Sequence, residues 1–303
     1  MVMQFKKAER RAAKLRLALC SPAGGGKTFS ALKIAKGIGG KVAMIDTEHG
    51  SGNLYADNQG MPEYAVLELD PPYTPFRYIE AIKAAESAGF DIIIIDSLTH
   101  AWAGEGGVLD MHDKATSASR SGNSFTAWRE ITPEHNRLVD AILQSKCHVI
   151  ATMRTKQEYA QSTDDKGKTV IKKLGMAPVQ REGMDYEFTV VMDLSTDHIA
   201  TSTKDRTSLF DGQHFKPTEE TGTTFLAWLN KGKAETQPEP SPKPEPLIDS
   251  PPMVTPEQIK KLDDMKKAGK NLAEAVKHLG IKASKIADLT EADAKRVIAY
   301  FEQ

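Results

Sequence analysis

Several things are scarce in this 303-residue sequence, and each scarcity closes off a class of protein. Only two cysteines occur, Cys20 and Cys147, both inside apolar runs. So few thiols exclude a disulfide framework, and their setting reads as that of small buried hydrophobes. No apolar stretch reaches 18 residues, so no membrane span is expected. The first sixteen residues carry Lys6, Lys7, Arg10, Arg11, Lys14 and Arg16 but lack the apolar segment of a signal peptide, and a cytoplasmic location is the expectation. An excess of one charge is missing too. The formal net charge is -1, so any nucleic-acid surface must be local. His49, His100, His112, His135 and His148 are scattered, without metal-ligand spacing to the cysteines, and no transition-metal site is assigned. Glu134-His135 reads as an exposed helix face rather than a catalytic dyad.

What is present is a core-forming chain, 40% hydrophobic, whose character changes after Lys233. Gln237 to Pro252 (QPEPSPKPEPLIDSPP) is proline-rich and poor in apolar residues, and cannot offset its ordering entropy by burial. The expected organisation is therefore a core over 1–232, an extended linker over 233–253 and a small helical module over 254–303. In the module, Thr255-Pro256 has the form of an N-cap and first helical proline. Ile259, Leu262 and Met265 make one apolar stripe, and Leu272, Val276 and Leu279 a second, closed by Gly280. Thr290 to Asp293 resembles a capping box ahead of a third helix with Val297, Ile298 and Phe301.

The core alternates strands and helices. Leu15 to Cys20, Lys41 to Ile45, Asp91 to Ile95 and His148 to Met153 are apolar runs, and DIIII lacks any alternation, as a strand buried on both faces should. Between them, Thr28 to Ile38, Pro75 to Ala88 and Phe125 to Ser145 have helical spacing, and Gly39-Gly40 ends the first. Glu187 to Leu194 and His198 to Ser202 read as two antiparallel strands. This order predicts an α/β fold with a mainly parallel sheet and helices on both faces.

The chemistry concentrates after the first run. Ser21-Pro22-Ala23-Gly24-Gly25-Gly26-Lys27-Thr28 joins a strand to a helix, the context of a phosphate-binding Walker A loop. Its glycines let the backbone wrap a phosphate, the helix N-terminus adds a favourable dipole, Lys27 supplies charge to the β- and γ-phosphates of ATP, and the Thr28 hydroxyl can ligate Mg²⁺. Ser21 stands where the pattern has glycine, and the alternative is a glycine-rich turn without ligand. Asp96 closes a buried apolar strand, the Walker B arrangement for holding Mg²⁺, against the alternative of a turn-forming Asp-Ser pair. Glu48 follows the Lys41 to Ile45 strand and can deprotonate an attacking water, unless it is a solvated loop acid or Asp46 does that work. Arg154 also follows a strand directly, so all four elements should converge on the carboxyl edge of the sheet.

With these elements in place, the sequence resembles the RecA/RadA class of P-loop ATPases over roughly residues 5 to 230. Ile45-Asp46-Thr47-Glu48-His49 looks like the segment with that class's catalytic glutamate, Ile95-Asp96-Ser97 like its Walker B, and Thr203-Lys204-Asp205-Arg206 like the Lys-x-Arg element that reaches a neighbouring subunit's ATP. The closer resemblance is to phage-encoded, core-only RecA-like ATPases of the Sak group of single-strand annealing proteins, through the P-loop register, the Asp-Thr-Glu-His segment and Thr152-Met153-Arg154-Thr155-Lys156. It implies a RecA-like core, single-stranded DNA binding, annealing or recombination in the host cytoplasm, assembly into a homo-oligomer, and a single-strand binding protein as partner. It also implies catalytic roles for Lys204 and Arg206 in trans.

The resemblance places DNA contacts in two stretches. Met111 to Phe125, with Lys114 and Arg120, is small and polar and reads as a mobile loop; Lys156 to Gly183 holds Lys156, Lys166, Lys168, Lys172, Lys173 and Arg181, with a hairpin turn at Asp164 to Gly167. Tyr159 is the aromatic expected to stack a base. The N-terminal segment reads as a basic helix whose charges either contact phosphates or form the polar side of a helix packed by Phe5, Ala8 and Ala12. The helical module carries nine Lys and one Arg against eight acids, which favours protein recruitment over a DNA clamp. Two other functions fit a P-loop: a small-molecule or nucleoside kinase, whose arginine-rich lid would come from Arg154 to Arg206, and a nucleotide-dependent structural or packaging subunit.

Overall fold

The computed structural model describes residues 5, 7–119, 122–163, 169–232, 253–281, 283 and 285–302, with the backbone alone between 158 and 174. The chain divides into two compact units, Met1–Glu235 and Thr236–Gln303.

The first unit is built on a nine-stranded sheet. Six strands run parallel in the order β3 (Tyr64–Glu68), β2 (Val42–Asp46), β4 (Ile92–Asp96), β5 (His148–Thr163), β1 (Arg16–Ser21) and β7 (Val190–Leu194). Two antiparallel strands, β8 (Ala200–Asp205) and β9 (His214–Phe215), extend it, and β6 (Thr169–Pro178) pairs antiparallel with the outer part of β5. The period of two along each strand sorts side chains to opposite faces. Leu17, Leu19, Ile92, Ile94 and Ile150 join one core, against α1 (Lys27–Ile38) and α6 (Glu219–Leu229). Ala18, Cys20, Ile93, Ile95 and Val149 join the other, against α2 (Pro75–Ser87) and α5 (Ser124–Gln144). Both cysteines are buried and free. This is the α/β fold that unalternating runs such as DIIII imply. Helices α1 and α6 meet very closely, since a Cβ on Gly222 would lie 2.1 Å from the Ile34 carbonyl oxygen.

Several expectations are corrected. The N-terminal segment is not a helix among its described residues: Phe5 and Ala8 are exposed and Ala12 only partly buried, so it has no packed stripe to support helical turns. Arg16, grouped with that segment's charges, opens β1 and is buried. Its guanidinium donates to the carbonyls of Leu15 (2.9 Å), Cys147 (2.8 Å), Leu143 (3.0 Å) and Ser145, and so closes the carboxyl end of α5. Burial lowers its pKa to about 10. The stretch expected as a mobile loop holds α4 (Val108–Ala118) and the start of α5, following the short α3 (Thr99–Ala103). His135 is buried rather than on an exposed helix face.

The second unit has three helices, α7 (Pro256–Lys267), α8 (Leu272–His278) and α9 (Glu291–Glu302), around Leu262, Ala275, Leu289, Ala294, Val297 and Ile298. Thr255 caps α7 in a reciprocal box with Gln258, and Thr290 accepts from the Asp293 amide at 3.1 Å. Residues 233–252 of the expected linker lie outside the described residues, while Met253 forms an antiparallel bridge with Thr290 and so belongs to the helical unit. Among the described residues, no helix is long and apolar enough to cross a membrane.

Candidate functional site

The P-loop leaves β1 at the middle of the sheet, with β5 and β7 on either side. Gly26 sits at φ 79°, in the left-handed region, where glycine carries no Cβ penalty. No side chain caps α1, so the first amides of the helix remain for an anion. Lys27 folds back over the loop, with Nζ 3.2 Å from both Ser21 Oγ and the Pro22 carbonyl oxygen. Burial, opposed by Asp96 and Glu48, lowers its pKa. Ser21 is fully enclosed; its hydroxyl donates to the Pro22 carbonyl at 2.8 Å, so the non-glycine residue is taken up inside the loop.

Asp96 ends β4, two strands from β1, and Thr152 of the intervening β5 bridges the gap. Thr28 Oγ1 donates to Asp96 Oδ2 at 2.5 Å and Thr152 Oγ1 donates to Oδ1 at 2.5 Å. Burial raises the pKa of Asp96, and the two hydroxyls oppose that rise. The Thr47 amide donates to the Asp96 carbonyl at 2.8 Å and the Ser97 amide to Thr47 Oγ1 at 2.9 Å, which ties the ends of β2 and β4 together.

The two acids at the carboxyl end of β2 have different partners. Asp46 is buried, and its carboxylate accepts the amides of Glu48 (2.6 Å) and Gly52 (2.9 Å). It holds the turn and has no free face. Glu48 is partly exposed and meets Arg154, with Oε1 3.1 Å from Nε and 2.9 Å from an Nη. The P-loop, Asp96, Glu48 and Arg154 thus converge on one sheet edge.

Lys204 and Arg206 do not join them. Leu17 pairs with Val190 and Val190 with Asp205, which puts both cations beside the amino ends of the parallel strands, roughly four residues or about 13 Å from Ser21 along the sheet. They do share a face, as their spacing requires: Lys204 Nζ donates to the Tyr186 carbonyl at 2.5 Å and Arg206 to the same oxygen at 3.1 Å.

Of the residues expected to meet DNA, Lys156 is exposed on β5. Lys114 stands on α4 rather than a loop and pairs with Asp110 at 2.8 Å. Arg120 and Lys168 lie outside the described residues, and Tyr159, Lys172 and Lys173 are placed on the β5–β6 hairpin by backbone alone. The turn at 164–168 is likewise outside them. Sequence reasoning missed two groups. Trp102 and Trp128 stack at 5.9 Å, and Arg181 lies 5.9 Å from the Trp128 ring centre. With exposed Tyr186 they line one shallow cavity. Tyr159 is therefore not the only aromatic available for stacking. The other is His198, in the β7–β8 turn, whose Nδ1 would be 2.9 Å from a Cβ on Gly26. Nothing local marks these residues, because they meet only through the fold.

Together, the strand-loop-helix cradle and the acids across β5 define a P-loop nucleotide-binding ATPase. The chain belongs to the AAA domain family, whose model matches residues 13–225. No curated protein matches it.

Proposed function

We propose that this chain binds ATP with Mg²⁺, hydrolyses it, and uses the cycle to act on single-stranded DNA as a homo-oligomer of the Sak-like type. Mg²⁺, when bound, supplies charge neutralisation between the phosphates, and Thr28 and Asp96 would hold it. The donor set fits: a hydroxyl and a carboxylate, both oxygen, 2.5 Å apart beside an ammonium and an uncapped helix end. Lys27 leaves the loop carbonyls for the phosphates, and Glu48 takes a proton from the attacking water once Arg154 turns from it to the nucleotide.

One observation carries the DNA reading. Strand β5 runs unbroken from Thr152 and Arg154 in the nucleotide site into the β5–β6 hairpin, whose residues 156–173 hold five lysines against three acids. A change at Arg154 would thus have one strand leading to a basic hairpin, past the bulge at Glu158/Tyr159. The rings of Trp128 and Tyr186 beside Arg181 supply the mix of stacking surface and charge that suits unpaired bases. Lys204 and Arg206 sit away from their own P-loop, which favours action on a neighbouring subunit. The C-terminal unit would recruit a protein partner, such as a single-strand binding protein.

Titrating labelled single-stranded and duplex oligonucleotides tests this. Single strands should bind more tightly, and Tyr186→Ala should weaken them by roughly 1–3 kcal/mol, the usual worth of one stacked base. Equal binding of duplex, untouched by Tyr186→Ala, would remove the DNA reading.

A further inference from the structure

The C-terminal unit carries a groove of about 640 Å³ between α7, α8 and the segment before α9. Leu272, Val276, Ile286 and Leu289 form its apolar surface, and Lys266, Lys270 and Lys285 its rim. Among the described residues, no acidic and no aromatic side chain lines it. The unit's other cations often have partners: Lys261 pairs with Glu302 at 2.5 Å, Lys295 with Glu291 at 2.6 Å and Arg296 with Asp293 at 3.3 Å. At the groove, Lys270 Nζ is held by the Phe301 carbonyl; Lys266 and Lys285 are exposed, and the Asp288 carboxylate accepts the Lys285 backbone amide at 3.2 Å, without an ion pair to either lysine head among the described residues.

We propose that this groove is a docking site for an acidic peptide segment of a partner protein, with apolar side chains seated on Leu272, Val276 and Ile286 and carboxylates on the lysine rim. Charge complementarity selects the occupant. Three cations around an apolar floor, with no acid among the described lining residues, attract a chain that carries both anions and hydrocarbon. Nucleic acid fits less well, because the groove offers no ring for a base and its apolar floor does nothing for phosphates. The site deepens the reading of this unit as a recruitment module and is independent of the ATPase chemistry.

The test uses the full chain and a fluorescein-labelled peptide, Asp-Glu-Asp-Asp-Leu-Ile-Leu, followed by anisotropy. Binding in the micromolar range is expected, weakened by salt. Lys266→Glu with Lys285→Glu should weaken it at least tenfold, and Val276→Ala, a change of two methyl groups at a partly exposed position, several-fold. A peptide with lysines in place of the acids should not bind the native chain and should bind the charge-reversed variant. The groove is refuted if the double variant binds the acidic peptide as the native chain does, or if the lysine peptide binds the native chain equally well. Loss of binding on deleting residues 254–303 without loss in the double variant would keep the module and discard the groove; binding that survives the deletion would discard both. An oligonucleotide that displaces the peptide, and does so only with the rim lysines intact, would overturn the proposal in favour of nucleic acid.

Discussion

Replacing each of the two acids after β2 by its amide should separate a structural carboxylate from a chemical one. Asp46 accepts two backbone amides, at 2.6 and 2.9 Å, while almost wholly buried. Asp46→Asn keeps one acceptor oxygen and turns an NH₂ towards a backbone N–H. One charge-assisted hydrogen bond is lost and a buried donor is left unmet, roughly 2–3 kcal/mol in all. For a unit of this size the melting temperature should fall by about 4–12 °C. Among the described residues the Glu48 carboxylate pairs with Arg154, and their side chains are 26% and 48% exposed, so Glu48→Gln should change stability by no more than about 1 kcal/mol. Its effect belongs in turnover: losing a general base should slow phosphate release about 100-fold or more, while nucleotide binding stays near native. Calorimetry and a phosphate-release assay on both variants read the two effects separately. If Asp46→Asn stops turnover at an unchanged melting temperature while Glu48→Gln turns over normally, the assignment of Glu48 is wrong.

Other outcomes follow from the same geometry. Arg206→Ala should lower turnover yet leave nucleotide binding intact, and mixing it with Glu48→Gln should recover activity at interfaces that join an intact Glu48 to an intact Arg206; turnover independent of concentration with no recovery on mixing would remove the trans role. His148 accepts the Leu15 amide at Nδ1 (3.0 Å), and burial, with Lys14 and Arg16 nearby, lowers its pKa from 6.5 to about 4. The folded state disfavours its protonation, so this contribution is complete above pH 6.5 and declines towards pH 4 by up to about 3 kcal/mol, a slope that His148→Gln should reduce in denaturant titrations. Gly222→Ala should destabilise the core by about 1–3 kcal/mol or prevent folding, because its methyl would meet the Ile34 carbonyl oxygen at 2.1 Å; native stability would mean that α1 and α6 are not so close.

The nucleotide edge was legible in the sequence because its determinants are local. Unalternating strands, a glycine-rich loop opening a helix and acids directly after strands each announce themselves within a dozen residues. What was not legible depends on distant partners. Strand β3 went unseen: Tyr64 to Leu67 is an apolar run of only four residues, and it lies half exposed at the sheet edge. Beyond Met153 the sequence of β5 turns polar, and its continuation to Thr163 rests on pairing with β6. Arg16 looked like one more basic residue of the N-terminal segment until the carbonyls of residues 143 to 147 closed around it. The Trp102–Trp128–Arg181 group joins positions 26 and 53 residues apart, and no local pattern foretells it.

The most direct test is steady-state phosphate release from Mg²⁺·ATP, with and without a single-stranded oligonucleotide, using Lys27→Ala as the blank. The native chain should release phosphate, several-fold faster with the oligonucleotide, and Lys27→Ala should do neither, having lost the ammonium that sits in the P-loop. Phosphate release that persists in Lys27→Ala would contradict the nucleotide site itself, and native turnover indifferent to the oligonucleotide would contradict its coupling to DNA.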